Sequence, residues 1–95
     1  MALTILAQIT ATEGNEAALR AALERLREPT LAEAGCLFYD LHIDNKNPGF
    51  FVFYEAWETR DHWQAHNKAP HLAAFRIARE GLVASTVVHE LTKLD

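Results

Sequence analysis

The stretch LFYDLHIDNKNPGFFVFYEAW, from Leu37 to Trp57, decides the fold of this chain. Apolar and polar residues alternate from Leu37 to Asp44, and a largely apolar run follows from Phe50 to Trp57, so each part predicts a β-strand. Between them, the segment Asn45-Lys-Asn-Pro-Gly49 has the residues of a chain reversal, because Asn tolerates positive φ and Pro-Gly favours a turn. The stretch therefore predicts an antiparallel hairpin with its turn in residues 45–49.

The residues before the hairpin predict one strand and one helix. Alternation from Leu3 to Ala11 is typical of a half-buried strand, and residues Asn15 to Glu28 are rich in Ala, Leu, Glu and Arg, which favour a helix. Three leucines at i, i+4 and i+7 give this helix one apolar stripe: Leu19, Leu23 and Leu26. Pro29 is expected to break or kink the helix, and Gly35 to close the short turn of residues 31–34 that follows.

The residues after the hairpin predict a bent helix and a last strand. Thr59 is a suitable N-cap, and Pro70 suits the first turn of a continuation, so a bend is expected between Asn67 and Pro70. This helical region should end at Gly81, and the β-branched segment from Leu82 to Leu94 predicts a strand.

The resulting order βαββαβ predicts an α+β, ferredoxin-like domain over residues 1–95, with an antiparallel sheet and both helices on one face. Both faces of the third strand are largely apolar, although helices can cover only one of them. One face carries Phe50, Val52, Tyr54 and Ala56; the other carries Phe51, Phe53, Glu55 and Trp57. A second copy of the sheet would cover the remaining face, which predicts a homodimer.

Composition excludes several classes of protein. The 95 residues carry a formal net charge of −4 with scattered Lys and Arg, so nucleic acid is not an expected partner. No apolar run approaches the length of a membrane helix, and no signal peptide precedes the first strand, so we expect no membrane partner and a cytoplasmic location. The lone cysteine, Cys36, has no second thiol for an internal disulfide or a CxxC site.

Histidines in the second helical region are the first candidates for chemistry. His66 follows Trp63 by three residues and so should look toward the sheet, either as a satisfied buried group or as a general base. His62 and His66 stand at i and i+4, but without a third ligand nearby they predict no metal site. His71 follows Pro70 at a helix start. It is a candidate for substrate binding, and a local structural role is the alternative.

A second set of residues is predicted to form the walls of a substrate pocket. Glu55 lies among aromatic residues, where a carboxylate needs a partner or a raised pKa. Aromatic side chains near it would suit a planar substrate, although packing in the core is the alternative for each. The candidate substrate-binding residues are Trp63, Trp57, Phe53, Glu55, Tyr54, Phe75 and His71.

Several short stretches, in this order, resemble the antibiotic biosynthesis monooxygenase superfamily. They are Gly35-Cys-Leu-Phe-Tyr39, Pro48-Gly-Phe-Phe-Val-Phe53, Glu55-Ala-Trp57, Trp63-Gln-Ala-His66 and Ala69-Pro-His71. The resemblance implies a dimeric α/β-barrel of ferredoxin-like subunits and, among its members, cofactor-independent oxygenases of quinols and polyketides. The haem-degrading relatives fit poorly, because they have Trp where this chain has His66 and a haem-ligating His where it has Arg76.

These observations lead to a hypothesis of function with two alternatives. No dinucleotide, P-loop or nucleophile-elbow motif occurs, so we expect no cofactor, and a monooxygenase would take its electrons from a quinol-like or polycyclic phenolic substrate. In this hypothesis His66 is the base and Trp63 a pocket wall. The alternatives are an isomerase of a small phosphorylated carbonyl compound and a non-catalytic dimer that binds a hydrophobic metabolite.

Overall fold

The computed structural model, which describes residues 2–95, contains four strands and four helices. They are β1 (Leu3–Ala11), α1 (Glu16–Glu24), α2 (Arg27–Leu31), β2 (Cys36–Asp44), β3 (Asn47–Trp57), α3 (Arg60–Asn67), α4 (Pro70–Ala78) and β4 (Val83–Leu91). The strands form one sheet in the order β2-β3-β1-β4, and every neighbouring pair is antiparallel. This arrangement confirms the ferredoxin-like fold. None of the helices within residues 2–95 is long and apolar enough to cross a membrane.

The helices cover one face of the sheet, here called the inner face, and the core lies between them. In the pairing of β1 with β3, Ile5 lies opposite Glu55 and Ala7 opposite Phe53, so these side chains share the inner face. The three leucines of the predicted stripe are buried against it, as expected: Leu19, Leu23 and Leu26. Apolar burial thus fixes α1 over the middle of the sheet.

The first predicted helix ends earlier than expected. It was predicted to run to Glu28 and to break at Pro29, but α1 ends at Glu24, and Pro29 is the third residue of the separate helix α2. Proline is tolerated there because the amides of a first helical turn have no partner within the helix. Pro29 therefore lies in the first turn of a helix here and does not end one.

The hairpin turn is also tighter than expected. Instead of spanning residues 45–49, the loop between β2 and β3 is Asn45-Lys46, because Asp44 already pairs with Asn47. The backbone N–H of Lys46 donates to the Asp44 carboxylate at 2.7 Å, and that of Gly49 donates to the Asn47 side chain at 3.0 Å. These side-chain acceptors take up turn amides locally, so pairing continues close to the reversal.

The second helical region is divided as predicted. The Thr59 side chain accepts a hydrogen bond from the backbone N–H of His62 and caps α3. Residues 68–69 separate α3 from α4, and Pro70 is the first residue of α4. The last strand is shorter than predicted, since β4 ends at Leu91 and not at Leu94.

The outer face of the sheet, opposite the helices, carries many apolar side chains. The rings of Phe38 and Tyr54 lie on it with centroids 5.1 Å apart. Tyr54 is 42% exposed and Val87 46% exposed. The strand register places the following apolar residues on this face: Leu6, Phe38, Phe50, Val52, Tyr54, Val87 and Leu91.

Candidate functional site

A small apolar cavity lies between the inner face of the sheet and helices α3 and α4. Its volume is about 120 Å³, and it is partly open to solvent. The polar side chains in its wall are those of Tyr39, Glu55, His66 and Asn67. The remaining lining residues are Ile5, Ala7, Ile9, Leu26, Phe53, Trp63, Leu72, Phe75 and Val88. Few polar groups in an apolar wall are typical of small-molecule sites.

His66, near the end of α3, is held in one orientation by buried neighbours. Its ring lies 4.7 Å from the Trp57 ring and 5.5 Å from the Tyr39 ring, between centroids. Its Nδ1 atom lies 2.6 Å from Oε2 of Glu33, which comes from the turn after α2. A carboxylate accepts hydrogen bonds only, so Nδ1 carries the proton of this bond.

The second ring nitrogen of His66, Nε2, makes no hydrogen bond within residues 2–95, and the His66 side chain lines the cavity. Burial lowers the pKa of His66, although the Glu33 carboxylate opposes this shift, so the ring is neutral at neutral pH. With the proton on Nδ1, Nε2 has an available lone pair. Within residues 2–95 no enclosed side-chain nitrogen or oxygen lacks a hydrogen-bond partner, so the unbonded Nε2 must be reached by solvent. His66 is thus built as a proton acceptor.

Glu55, in β3, is the second titratable group of the cavity. Its Oε1 accepts a hydrogen bond from Nε1 of Trp57 at 2.8 Å, and both side chains are buried. Burial raises the pKa of Glu55 to about 7, against the lowering effect of the Trp57 hydrogen bond. A carboxyl group with such a pKa exchanges a proton near neutral pH, so the cavity holds an acid and a base together.

Glu33 also bonds a second histidine. Nε2 of His71, in the first turn of α4, lies 2.9 Å from the same Oε2 atom that binds His66. Oγ1 of Thr30 lies 3.2 Å from the same nitrogen of His71. Glu33, His66 and His71 therefore form a cluster whose ligand atoms all lie within 4.8 Å of one another, the arrangement that suits a metal ion or a shared set of protons.

Comparison with known proteins places this site in a family. The family model described as "Antibiotic biosynthesis monooxygenase" matches residues 2–77. The chain belongs to the antibiotic biosynthesis monooxygenase family. A Mycobacterium tuberculosis relative named "Putative monooxygenase Rv0793" is 35% identical over 79 residues, which are 82% of this chain and 77% of the relative.

Solved structures of similar proteins cover β4 as well, beyond the residues that the family model matches. PA3566 from Pseudomonas aeruginosa has a TM-score of 0.96 and 35% identity, over 99% of this chain and 95% of that one. The structure of Rv0793 has a TM-score of 0.92 and 29% identity, over 100% of this chain and 97% of that one. The ferredoxin-like family fold thus extends through the whole chain.

Five of the candidate residues lie around the cavity of this family member. Glu55, Phe53 and His66 are buried in its wall, while Trp63 and Phe75 are half-buried. The structure brings these five side chains together from β3, α3 and α4, as the prediction of one pocket requires.

Three other candidates lie elsewhere. Trp57 is fully buried beneath His66 and is not part of the cavity wall, because its position on β3 lies beyond Glu55. Tyr54 is on the outer face, since neighbouring residues of a strand point to opposite sides. His71 bonds Glu33, the residue that also bonds His66, and is not among the residues that line the cavity.

The histidine pair considered for metal does not form. Nδ1 of His62 lies 2.8 Å from Oγ1 of Thr59, and the His62 side chain packs over Gly35 instead of facing His66.

Glu33 is the residue of this candidate site that the sequence did not predict. It lies 33 residues before His66, in a segment that the sequence marks only as a turn. The sequence has one signal that could have found it, a carboxylate directly before the Ala-Gly end of that turn, and this signal is weak.

Proposed function

We propose that this family member is a cofactor-independent monooxygenase that oxidises a small quinol-like molecule with dioxygen. The observation that carries the proposal is that Glu33 holds the Nδ1–H of His66 while the His66 side chain lines an apolar cavity. A fixed tautomer in a cavity of this kind is what a general base for a phenolic proton requires.

The residues around the cavity suit the steps of such a reaction. Nε2 of His66 would accept a phenolic proton, and the quinolate would reduce dioxygen to a hydroperoxide at a ring carbon. Glu55, when protonated, would donate to the distal oxygen as the O–O bond breaks; the same ring carbon would lose its hydrogen as a proton to His66, so that a carbonyl group forms and water leaves. The quinol supplies all four electrons: one oxygen atom stays on the resulting hydroxyquinone and the other leaves as water.

The size of the cavity limits the substrate. An apolar cavity of about 150 Å³ holds a single benzene ring, and this one is about 120 Å³. Because the cavity is partly open, one ring of the quinol would lie inside, beside Trp63 and Phe75, and any further ring would extend toward the opening. The proposal therefore favours a monocyclic or bicyclic quinol.

An isomerase of a small carbonyl compound is the second candidate function. The pairing of the acid Glu55 with the base His66 favours it, because isomerases move a proton between two atoms of one substrate. Against a phosphorylated substrate, no Lys or Arg side chain is among the residues that line this cavity. A quinol, which has no phosphate, suits the wall better.

We also propose that the protein works as a homodimer through the outer face. The apolar side chains of that face, Tyr54 and Val87 among them, are left uncovered by the helices. A second copy would bury them symmetrically, as is common for soluble proteins.

The lone Cys36 agrees with a cytoplasmic location.

The test is oxygen uptake by metal-free protein with reduced naphthoquinones, after subtraction of autoxidation. His66→Ala is expected to lower the enzymatic rate by about 10²- to 10⁴-fold, the range for loss of a general base. Glu33→Gln should lower the rate less, because it leaves Nε2 in place but loosens the tautomer. The hydroxyquinone product is identified by mass spectrometry.

His62→Ala is the matched control. It removes a histidine from the same helix whose ring contacts Thr59 and not the cavity, so it should keep the wild-type rate. Equal uptake by wild type and His66→Ala would refute the proposal. Saturable quinol binding without oxygen uptake would instead support the non-catalytic binding protein.

A further inference from the structure

The proposed reaction does not explain why Glu33, His66 and His71 lie together in a cluster. Proton abstraction requires only one ring nitrogen of His66, yet its other nitrogen forms a cluster with two further metal-ligating side chains, those of Glu33 and His71. We propose that this cluster is a binding site for a divalent transition-metal ion of the Zn²⁺ class.

The distances support a site that needs little rearrangement. Oε2 of Glu33 lies 2.6 Å from Nδ1 of His66 and 2.9 Å from Nε2 of His71. Tetrahedral Zn²⁺ with bonds of about 2.1 Å places its ligand atoms about 3.4 Å apart. Each histidine nitrogen would have to separate from Oε2 of Glu33 by less than about 1 Å to admit the ion, and all three ligand atoms already lie within 4.8 Å of one another.

The ligand set has the chemistry that Zn²⁺ prefers. Two imidazole nitrogens and one carboxylate oxygen are the three protein ligands of many zinc sites, in which the fourth position is open to water or substrate. Four residues separate His66 from His71, a usual spacing for a pair of zinc-binding histidines. Here the break between α3 and α4 turns both rings toward Glu33.

Solvent and charge also favour an ion at this place. The side chains of Glu33 and His71 are 17% and 20% exposed, so the ion has a path from solvent that does not pass through the cavity. Glu33 supplies a carboxylate oxygen between the two imidazole rings. Arg76, which acts against a positive charge at His66, is engaged in a hydrogen bond from its guanidinium to the backbone carbonyl of Asn67.

Occupation of the cluster would change the tautomer of His66. A metal ion on Nδ1 replaces the proton there, so the neutral ring must carry its proton on Nε2, which then donates a hydrogen bond into the cavity. Zn²⁺ would convert Nε2 of His66 from a base into a hydrogen-bond donor and would inhibit the proposed oxidation. This consequence rests on the proposed function. Binding of the ion itself does not depend on that function.

The experiment is calorimetric titration of metal-stripped protein with Zn²⁺, in the absence of quinol. We expect one Zn²⁺ per chain, and at least about tenfold weaker binding for Glu33→Gln and for His71→Gln. His42→Gln, which removes an exposed histidine from β2, is the control and should bind Zn²⁺ as the wild type does. Absence of binding, or equal binding by all four proteins, would overturn the proposal.

Nitrogen-15 spectra of the wild-type histidine rings provide a test that needs no variant. We expect His66 to change from the Nδ1–H to the Nε2–H tautomer as Zn²⁺ is added. If Zn²⁺ binds and His66 keeps its Nδ1–H, the ion lies elsewhere and the site is wrong. Because neither readout uses quinol or oxygen, the metal site and the oxygenase proposal are tested separately.

Discussion

The buried carboxyl of Glu55 makes stability depend on pH at the scale of a single residue. Burial raises its pKa from 4.5 to about 7, so the folded state holds this proton more tightly than the unfolded state does. The neutral form therefore stabilises the fold below about pH 4.5, and this stability is lost as the pH rises through about 7. A shift of this size corresponds to about 3 kcal/mol.

Glu55→Gln is expected to remove this loss. Gln keeps an oxygen that can accept the Nε1–H of Trp57 but never ionises, so the variant should gain about 3 kcal/mol over the wild type between acidic pH and about pH 8. The measurement is urea unfolding of both proteins across this range. Glu58→Gln, at an exposed position, is the control; a difference between Glu55→Gln and wild type that does not grow with pH would contradict the prediction.

At this scale the sequence predicted the cavity residues that follow a pattern. Glu55 was found because a carboxylate interrupts an apolar strand, and His66 because it follows Trp63 on one helical face. Glu33 was missed because its partners lie 33 and 38 residues away, and no local period connects a turn residue with a distant helix. The role of His66 depends on that contact and so became visible only in the fold.

At the scale of elements, Gly35 joins the start of β2 to helix α3. Its φ of +81° is a conformation that other residues adopt at a cost, and a Cβ there would lie 2.2 Å from Cγ of His62. Its carbonyl accepts a hydrogen bond from the backbone N–H of Glu58 at 2.8 Å, just before α3. A side chain at position 35 would therefore push α3 away from the sheet.

Gly35→Ala should destabilise the protein by more than the positive φ alone explains. The left-handed conformation costs about 1–2 kcal/mol for an L-residue, and the overlap with His62 adds to it. Gly81→Ala is the control, since Gly81 has a φ of +78° but open space around it. Urea unfolding should rank Gly35→Ala as clearly less stable than Gly81→Ala, and His62→Ala in the Gly35→Ala background should restore part of the loss; equal losses would refute the role of the contact.

The elements themselves followed from sequence with local errors. The strand periods, the Thr59 cap and the break before Pro70 were predicted, because each is set by neighbouring residues. The prediction failed where proline can occur in two settings. Pro29 lies in the first turn of α2 instead of breaking α1, and Pro48 lies within β3 instead of in the turn. Tertiary pairing decides between such uses, and the local sequence does not contain that information.

At the scale of the whole molecule, the outer face predicts the oligomeric state. Tyr54→Asp places a charge in the middle of the apolar surface and should convert a dimer into a monomer, because the charge would be buried without a partner. Size-exclusion chromatography with light scattering measures the mass. Ile77→Asp is the control, since Ile77 is 76% exposed on α4, away from the sheet; a monomeric wild type would refute the proposed dimer.

The arrangement of the whole chain was accessible from sequence because the order βαββαβ allows few topologies, and the family match agrees with it. The need for a partner was inferred from the two apolar faces of β3 alone. The volume of the cavity was not predictable, because it depends on how closely α3 and α4 approach the sheet, and this distance is set by many side chains together.

The hydrogen bond between Glu33 and His66 can report when folding of the chain is complete. It joins a turn in the first half of the sequence to a helix in the second, so it exists only after both halves have docked. During refolding, the His66 ring should reach its native nitrogen resonances last, after the hairpin and the helices have formed. A newly made chain could have all its secondary structure and still lack the Glu33–His66 hydrogen bond. The His66 ring of such a chain would remain mobile, and its tautomer would not be fixed.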